Sequence, residues 1–298
     1  MMGAAAIPRA IVVGTGAMGP EIAVALANAG IATTIAGRRA EQATRAAERA
    51  NSIVQGGRVT ARLIDHETFA EADLVVETIV ENVDEKRHLF EQIEPWCRPQ
   101  AVIATNTSSL RIEDLASRLA LPARFGGLHF LKPAHLTGVV EVIPGPKTSE
   151  ATLARLRGVA ALMSKTALLV RRDVPGFIWN RVQFAVLREC LHMLEEGVAD
   201  AADIDAAVSD GLAPRWMAAG PLATADLGGL VTFARICESL FPHLAIDSDA
   251  PNAITERAAS GEALQEWTRT DPAALDRLRQ AALAAGAEIA ATRRRLAS

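Results

Sequence analysis

A glycine-rich loop between a strand and a helix restricts the fold of this chain more than any other feature. Residues 9–13 have the apolar pattern of a buried strand, and residues 20–29 have the alanine-rich pattern of a helix. The loop between them follows the pattern GxGxxG with Gly14, Gly16, Ala17, Met18 and Gly19. In this context the glycines permit a tight turn, close approach of a pyrophosphate and close helix–strand packing. A plain tight turn is the alternative, but the strand–loop–helix order favours a Rossmann domain that binds a dinucleotide through these five residues.

Strand and helix patterns alternate through the first half of the chain after this loop. The predicted strands are residues 33–36, 59–64, 74–78, 101–104, 126–130, 139–143 and 168–170. The predicted helices are residues 41–54, 84–96, 112–119 and 150–163. Such alternation predicts a doubly wound α/β fold, in which helices cover both faces of a parallel sheet.

The pattern becomes purely helical after residues 171–175. Helices are predicted over residues 177–196, 203–209, 227–240 and 272–296. We therefore expect two domains: a dinucleotide-binding Rossmann domain over residues 1–173 and an all-α substrate and dimerisation domain over residues 174–298. The helix predicted over 177–196 carries more apolar residues than one buried face needs, which favours a homodimer.

Composition and charge exclude several classes of function. The 298 residues carry a net charge of −4 with no basic cluster, so we expect no nucleic-acid partner. No apolar run approaches the roughly 20 residues that a membrane helix needs, and the N-terminus has no signal-peptide pattern. The three cysteines are far apart and have no metal-binding spacing. We therefore expect a cytoplasmic protein with a small-molecule substrate, no metal and no membrane partner.

The residues after the second strand indicate which dinucleotide would bind. An NAD site normally has an acidic residue here for the ribose 2′-hydroxyl. This chain instead has Gly37, Arg38 and Arg39. Arginine pairs well with a 2′-phosphate, so we predict NADP as the cofactor. NAD remains the alternative, since two surface arginines at a helix start can also be simply solvated.

Four further segments carry polar residues near predicted strand or helix ends. They are VVETIVEN (75–82) with Lys86, TNTSSL (105–110), GLHF (127–130) with Pro133 and Glu141, and VPGFIWNR (174–181). With GTGAMG, these segments resemble the 3-hydroxyacyl-CoA dehydrogenase family in order and spacing. Residues 180–230 are most similar to the single-unit branch of the family that contains lambda-crystallin, an L-gulonate 3-dehydrogenase.

The resemblance implies roles for individual residues. It implies that His129 is the general acid/base, that Glu141 holds its imidazole, and that Ser108 binds the substrate oxygen. It places Asn180 over the site, with the further cofactor-binding residues Glu81, Lys86 and Asn106. The chemistry agrees, because histidine titrates near neutrality and a neighbouring carboxylate stabilises the imidazolium. Taken alone, His129, Glu141, Ser108 and Asn180 are more typical of structural or surface residues, and only their joint occurrence in the family pattern favours a functional role.

Two departures from the family pattern concern the substrate. Lys132 stands where the family usually has an amide, and the segment between Arg39 and Asp73 is short. We therefore expect a small hydroxy or keto acid, whose carboxylate Lys132 would bind. Ser108 and Asn180 are the other two expected substrate-binding residues. Two alternatives remain open. One is an NAD-dependent 3-hydroxyacyl-CoA dehydrogenase such as one acting on 3-hydroxybutyryl-CoA, and the other is a non-catalytic nucleotide-binding or structural protein.

Overall fold

The chain divides into two units near Asn180. The structure is a computed structural model that describes residues 7–264 and 272–296. One unit is Met1–Asn180 and the other is Arg181–Ser298. We call them the sheet unit and the helical unit. The division falls a few residues after Asp173, where the sequence pattern placed the domain boundary.

An eight-stranded sheet forms the centre of the sheet unit, in the order β3-β2-β1-β4-β5-β6-β7-β8. The strands are β1 (Arg9–Val13), β2 (Ala32–Gly37), β3 (Val59–Leu63), β4 (Leu74–Glu77), β5 (Val102–Thr105), β6 (Phe125–His129), β7 (Val139–Pro144) and β8 (Thr166–Leu169). The first six strands all run parallel to one another, which confirms the predicted Rossmann sheet.

The last part of the sheet differs from the predicted all-parallel arrangement. Strand β7 runs antiparallel to β6, and β8 then pairs parallel with β7. The reason lies in the connection: residues 130–138 contain no helix, and a parallel return needs a crossover of about a dozen residues or more. The antiparallel pair places residues of β6 and β7 directly opposite each other at the end of β6.

Helices cover both faces of this sheet because its strands are apolar on both sides. In β1, Ala10 and Val12 belong to one buried cluster, whereas Ile11 and Val13 belong to the other. The helices of the sheet unit are α1 (Met18–Asn28), α2 (Ala40–Asn51), α3 (His66–Phe69), α4 (Val83–Ile93), α5 (Ile112–Ala116) and α6 (Glu150–Leu162). The strand order reverses between β1 and β4, so a crevice opens beyond their carboxyl ends, where such folds bind ligands.

The described part of the helical unit consists of helices, as predicted. They are α7 (Trp179–Glu195), which begins in the sheet unit, α8 (Ala201–Ala206), a π-helical segment (Ala207–Leu212), α9 (Ala213–Ala218), α10 (Pro221–Gly228), α11 (Leu230–Leu240), α12 (Asn252–Ser260) and α13 (Pro272–Leu296). No helix within the described ranges is both long enough and apolar enough to cross a membrane.

The first turn of the predicted 177–196 helix forms differently. Helix α7 begins at Trp179, and Phe177 lies before it with a positive φ of 47°. Phe177 was predicted to add to an apolar helix surface, but it is only 2% exposed. Its ring packs 5.6 Å from the ring of His129, measured between centroids. Phe177 therefore belongs to the interior of the sheet unit.

Candidate active site

The glycine loop has the geometry of a phosphate cradle. Gly14 has a φ of 132°, and a Cβ there would lie 2.8 Å from the carbonyl oxygen of Thr78. A Cβ on Gly19 would overlap the Gly14 carbonyl, whereas one on Gly16 would meet nothing within 4 Å. Two glycines thus permit close packing, and the third leaves open space beside the backbone. Ala17 provides no side-chain cap for α1, so the first N–H groups of that helix remain available to an anion.

A cavity of about 420 Å³ extends from this loop. Gly14, Gly16, Gly37 and Arg38 line it, together with Thr78 and residues of α4. The predicted residues Gly14, Gly16, Gly37 and Arg38 are thus brought together, and the open space beside Gly16 fits a dinucleotide. The predicted residues Ala17, Met18, Gly19 and Arg39 are not among the lining residues. Arg39 is exposed at the start of α2 and is not a lining residue, and Met18 is half-buried against the apolar core.

A chain of hydrogen-bonding groups joins Ser108, His129 and Glu141. The antiparallel register places His129 opposite Glu141, and His129 Nδ1 lies 2.6 Å from Glu141 Oε2. The other ring nitrogen, Nε2, lies 3.1 Å from Ser108 Oγ. His129 and Glu141 are buried, whereas Ser108 is exposed. The imidazole can therefore exchange a proton on its Nε2 side while the carboxylate holds its Nδ1 side.

The second oxygen of Glu141 is held by backbone groups. Glu141 Oε1 accepts hydrogen bonds from the N–H groups of Ile178 (2.8 Å) and Trp179 (2.9 Å). Burial alone would raise the pKa of Glu141, but the bonds from His129 and these amides outweigh it and lower the pKa. These two donors were not predicted from the sequence. Pro175 and Gly176, which has a φ of 77°, were the signal for the turn that aims them.

Asn106 and Asn180 support the loops around His129. Asn106 Oδ1 accepts a hydrogen bond of 2.7 Å from the N–H of Phe130 and so ties the β5 loop to the residue after His129. Asn180 Nδ2 donates to the Ser108 carbonyl oxygen at 3.3 Å. The structure thus brings Asn180 to the loop that carries Ser108.

Lys86 occupies a different place from the predicted cofactor contact. Its side chain is 1% exposed, and Nζ lies 2.6 Å from Glu77 Oε1 and 3.3 Å from Glu81 Oε2. Direct contact with a bound dinucleotide is therefore not open to Lys86, because its ammonium is buried between the buried carboxylate of Glu77 and the partly exposed carboxylate of Glu81. Glu81 faces the Ser108 loop, where it accepts hydrogen bonds from Thr107 Oγ1 and the Ser108 N–H.

Lys132 lies on the exposed side of the loop that follows His129. Its side chain is exposed, and the next two residues, Pro133 and Ala134, are buried. Glu21, in the first turn of α1, accepts a hydrogen bond of 2.7 Å from the Ala134 N–H. The lysine is thus carried by a loop that is anchored to the helix of the glycine motif. Within the described ranges, no three His, Cys, Asp or Glu side chains converge as a metal site.

Family profiles match both parts of the chain. The profile described as "3-hydroxyacyl-CoA dehydrogenase, NAD binding domain" matches residues 9–174. The profile described as "3-hydroxyacyl-CoA dehydrogenase, C-terminal domain" matches residues 176–270. The chain belongs to the 3-hydroxyacyl-CoA dehydrogenase family. It is accordingly a nicotinamide-dinucleotide-dependent dehydrogenase acting on a CH–OH group, which confirms the predicted family and enzyme class.

Individual family members show what the chain is similar to. It is 30% identical to a 5-formyl-3-hydroxy-2-methylpyridine 4-carboxylate 5-dehydrogenase of Mesorhizobium japonicum, over 84% of this chain and 85% of that protein. The crystal structure of an enzyme of that name, described as an NAD+ dependent dismutase, superposes with a TM-score of 0.85 at 27% identity. That match covers 97% of this chain and 98% of the other.

Other relatives carry different substrate names. An L-carnitine dehydrogenase of Streptomyces griseus is 33% identical over 80% of this chain and 66% of its own length. A probable 3-hydroxybutyryl-CoA dehydrogenase of Bacillus subtilis is 34% identical over 78% of this chain and 85% of its own length. These relatives do not specifically indicate the lambda-crystallin branch, so that finer assignment stays a prediction.

Proposed function

We propose that this chain is an NADP(H)-dependent oxidoreductase that interconverts a secondary alcohol and a ketone on a small hydroxy or keto acid. The observation that carries the proposal is the linked set of Ser108, His129 and Glu141. Glu81 joins this set to the glycine-loop cavity, because it binds the Ser108 N–H and directly follows Val80, which lines the cavity. The exposed end of the linked set is a hydroxyl and its buried end is a carboxylate, so a proton can be taken up or released only at the exposed end.

The site residues account for the proton side of this reaction. His129 Nε2 removes the proton as the alcohol is oxidised, and returns it when the ketone is reduced. Ser108 Oγ, which lies next to Nε2, donates to or accepts from the substrate oxygen and so orients it. Glu141 stabilises the imidazolium, and its lowered pKa keeps it ionised while it does so. A nicotinamide bound in the cavity supplies the hydride acceptor or donor.

The cofactor preference rests on Arg38 at the end of β2. This guanidinium lines the cavity at the position where an NAD site has an acid. Hydrogen bonds to a charged group contribute about 1.5–3 kcal/mol, so NADPH should bind roughly tenfold or more tightly than NADH. Fluorescence titration of both cofactors measures this, and Arg38→Ala should remove the difference. Tighter binding of NADH would favour the NAD dependence named for the similar crystal structure.

The substrate proposal rests on Lys132 and on two of the relatives. Those two are named for a pyridine carboxylate and for L-carnitine, not for a CoA thioester. A lysine on the loop after His129 supplies a positive charge for a substrate carboxylate. If it binds ground and transition states equally, Lys132→Met should raise KM more than it lowers kcat.

The experiment is a panel of small hydroxy acids, including 3-hydroxybutyrate, assayed against 3-hydroxybutyryl-CoA with both cofactors. Lys147→Met is the matched control, since Lys147 is exposed in the same unit but lies beside a different cavity. Oxidation of the thioester alone, with Lys132→Met unaffected, would instead identify a 3-hydroxyacyl-CoA dehydrogenase. The 3-hydroxybutyryl-CoA dehydrogenase names among the relatives make this the second candidate function.

A homodimer completes the proposal. The helical unit exposes large apolar side chains such as Leu222, Leu227 and Phe241. A second copy of the chain would cover such a surface. We also propose a cytoplasmic location, because the three cysteines are free thiols and the redox state of that compartment keeps thiols reduced.

A further inference from the structure

A buried ion pair lies beneath the loops of the candidate active site. Glu77 ends β4 and Lys86 lies on α4, and both side chains are almost completely inaccessible to solvent. Glu77 Oε1 also accepts the Ile79 N–H at 2.6 Å, and Glu77 Oε2 accepts Thr105 Oγ1 at 2.7 Å. Both carboxylate oxygens are therefore occupied, and the ammonium of Lys86 is held in one position.

The same ammonium reaches a second carboxylate, that of Glu81. Lys86 Nζ lies 3.3 Å from Glu81 Oε2. The other oxygen, Oε1, accepts hydrogen bonds from Thr107 Oγ1 at 2.6 Å, the Ser108 N–H at 2.8 Å and the Ser109 N–H at 3.0 Å. One oxygen of Glu81 thus binds the loop that carries Ser108, and the other oxygen is held by the ammonium of Lys86.

Stability alone is a weak explanation for this arrangement. Replacing a buried ion pair by apolar residues of similar volume is often neutral or stabilising, because removing charges from water is costly. Buried charged groups are better suited to holding one defined geometry. Here the residue held in place by these contacts is Ser108, whose hydroxyl lies 3.1 Å from His129 Nε2.

We propose that Glu77, Lys86 and Glu81 are positioning residues that set the place of Ser108 Oγ relative to His129 Nε2. The inference rests on the proposed function, in which Ser108 orients the substrate oxygen. Lys86 is fixed by Glu77, Glu81 by Lys86, and the Ser108 backbone by Glu81.

Glu81→Gln is the sharpest variant, because Glu81 is partly exposed and its loss threatens folding least. A glutamine has one acceptor oxygen and one N–H₂ group, so it cannot accept from both Lys86 and the loop. Small displacements of a reacting group can cost about a hundredfold, and we expect kcat to fall tenfold or more. The double variant Glu77→Gln/Lys86→Met, which leaves no lone buried charge, should act in the same direction.

A double-mutant cycle with Ser108→Ala separates positioning from general damage. If Glu81 acts through Ser108, Glu81→Gln should lower kcat little further in the Ser108→Ala background. Arg124→Met is the matched control, since Arg124 is a buried cation beside Glu94 in the same unit and contacts other loops. Arg124→Met should therefore lower kcat by the same factor in the wild-type and Ser108→Ala backgrounds. The substrate is 3-hydroxybutyrate or 3-hydroxybutyryl-CoA, whichever the wild-type protein oxidises faster.

A substrate-free measurement accompanies the cycle. The ¹⁵N resonance of His129 Nε2 should shift in Glu81→Gln and stay unchanged in Arg124→Met, because the first variant displaces the Ser108 hydroxyl. If Glu81→Gln and Ser108→Ala lower kcat by independent, multiplicative factors, and the His129 Nε2 resonance does not shift in Glu81→Gln, the positioning role is overturned. An unchanged kcat in Ser108→Ala alone would instead contradict the proposed function at Ser108, so the two failures are distinguishable.

Discussion

The sheet unit and the helical unit differ in how much apolar surface they bury. In the sheet unit, both faces of the sheet are covered by extended clusters of buried side chains. In the described part of the helical unit, the buried apolar residues are Leu191, Ile204 and Ala245. Leu222 and Leu227 on α10 are 85% and 81% exposed. The sheet unit therefore has a core of its own, whereas the helical unit presents apolar surface that a second molecule can cover.

The chemistry follows the same division. Ser108, His129, Glu141 and Asn180 all belong to the sheet unit, as does the glycine-loop cavity. Their contacts depend on strand register and on buried loops, both of which a complete core keeps rigid. We infer that substitutions in the two units should have different kinds of effect: on the site and its stability in the first, and on association in the second.

The largest effect is expected at the exposed leucines of α10. Burying a leucine contributes about 1.5–3 kcal/mol, so Leu222→Glu/Leu227→Glu should weaken a dimer by a hundredfold or more. Sedimentation velocity at micromolar concentration measures this. Leu121→Glu is the control, since Leu121 is an exposed leucine of the sheet unit and should leave association unchanged. A wild-type chain that sediments as a monomer would contradict the proposed homodimer.

A smaller effect is expected when a single methyl group is added to the sheet unit. Gly14→Ala forces an unfavourable positive φ and places Cβ within 2.8 Å of the Thr78 carbonyl. Strain and overpacking together should lower the free energy of unfolding by about 2–4 kcal/mol, as measured by urea denaturation. Gly16→Ala is the comparison, because its Cβ meets open space. It should retain stability and weaken only dinucleotide binding; equal destabilisation by both substitutions would contradict the cradle geometry.

Much of the sheet unit could be predicted from the sequence because its signals are local. Strand β1 was predicted with its observed bounds, and GTGAMG directly follows it, but α1 begins inside the motif at Met18, two residues before the predicted helix. His129 and Glu141 were paired through the family resemblance, and the register of β6 and β7 places them opposite each other. Periodicity does not reveal strand direction, however, so the antiparallel course of β7 was missed.

The parts that could not be predicted depend on contacts between distant residues. A lysine on an amphipathic helix is normally exposed, and the burial of Lys86 is tolerable because the carboxylates of Glu77 and Glu81 lie beside its ammonium. Phe177 was assigned to a helix because its apolar neighbours fit a helical period. The turn at Gly176 instead directs the ring of Phe177 toward His129. It also allows the N–H groups of Ile178 and Trp179 to donate hydrogen bonds to Glu141.

The most direct measurement is the single-turnover rate of hydride transfer in His129→Ala, with cofactor affinity determined on the same sample. General acid–base catalysis contributes about 10²–10⁴-fold, so the rate should fall by that factor while dinucleotide binding, which uses the glycine loop, is retained. Glu141→Gln should show a smaller loss, because it keeps the imidazole in place but weakens stabilisation of its charged form. A wild-type rate in His129→Ala, with the cofactor bound normally, would contradict the assignment of His129 as the general acid/base.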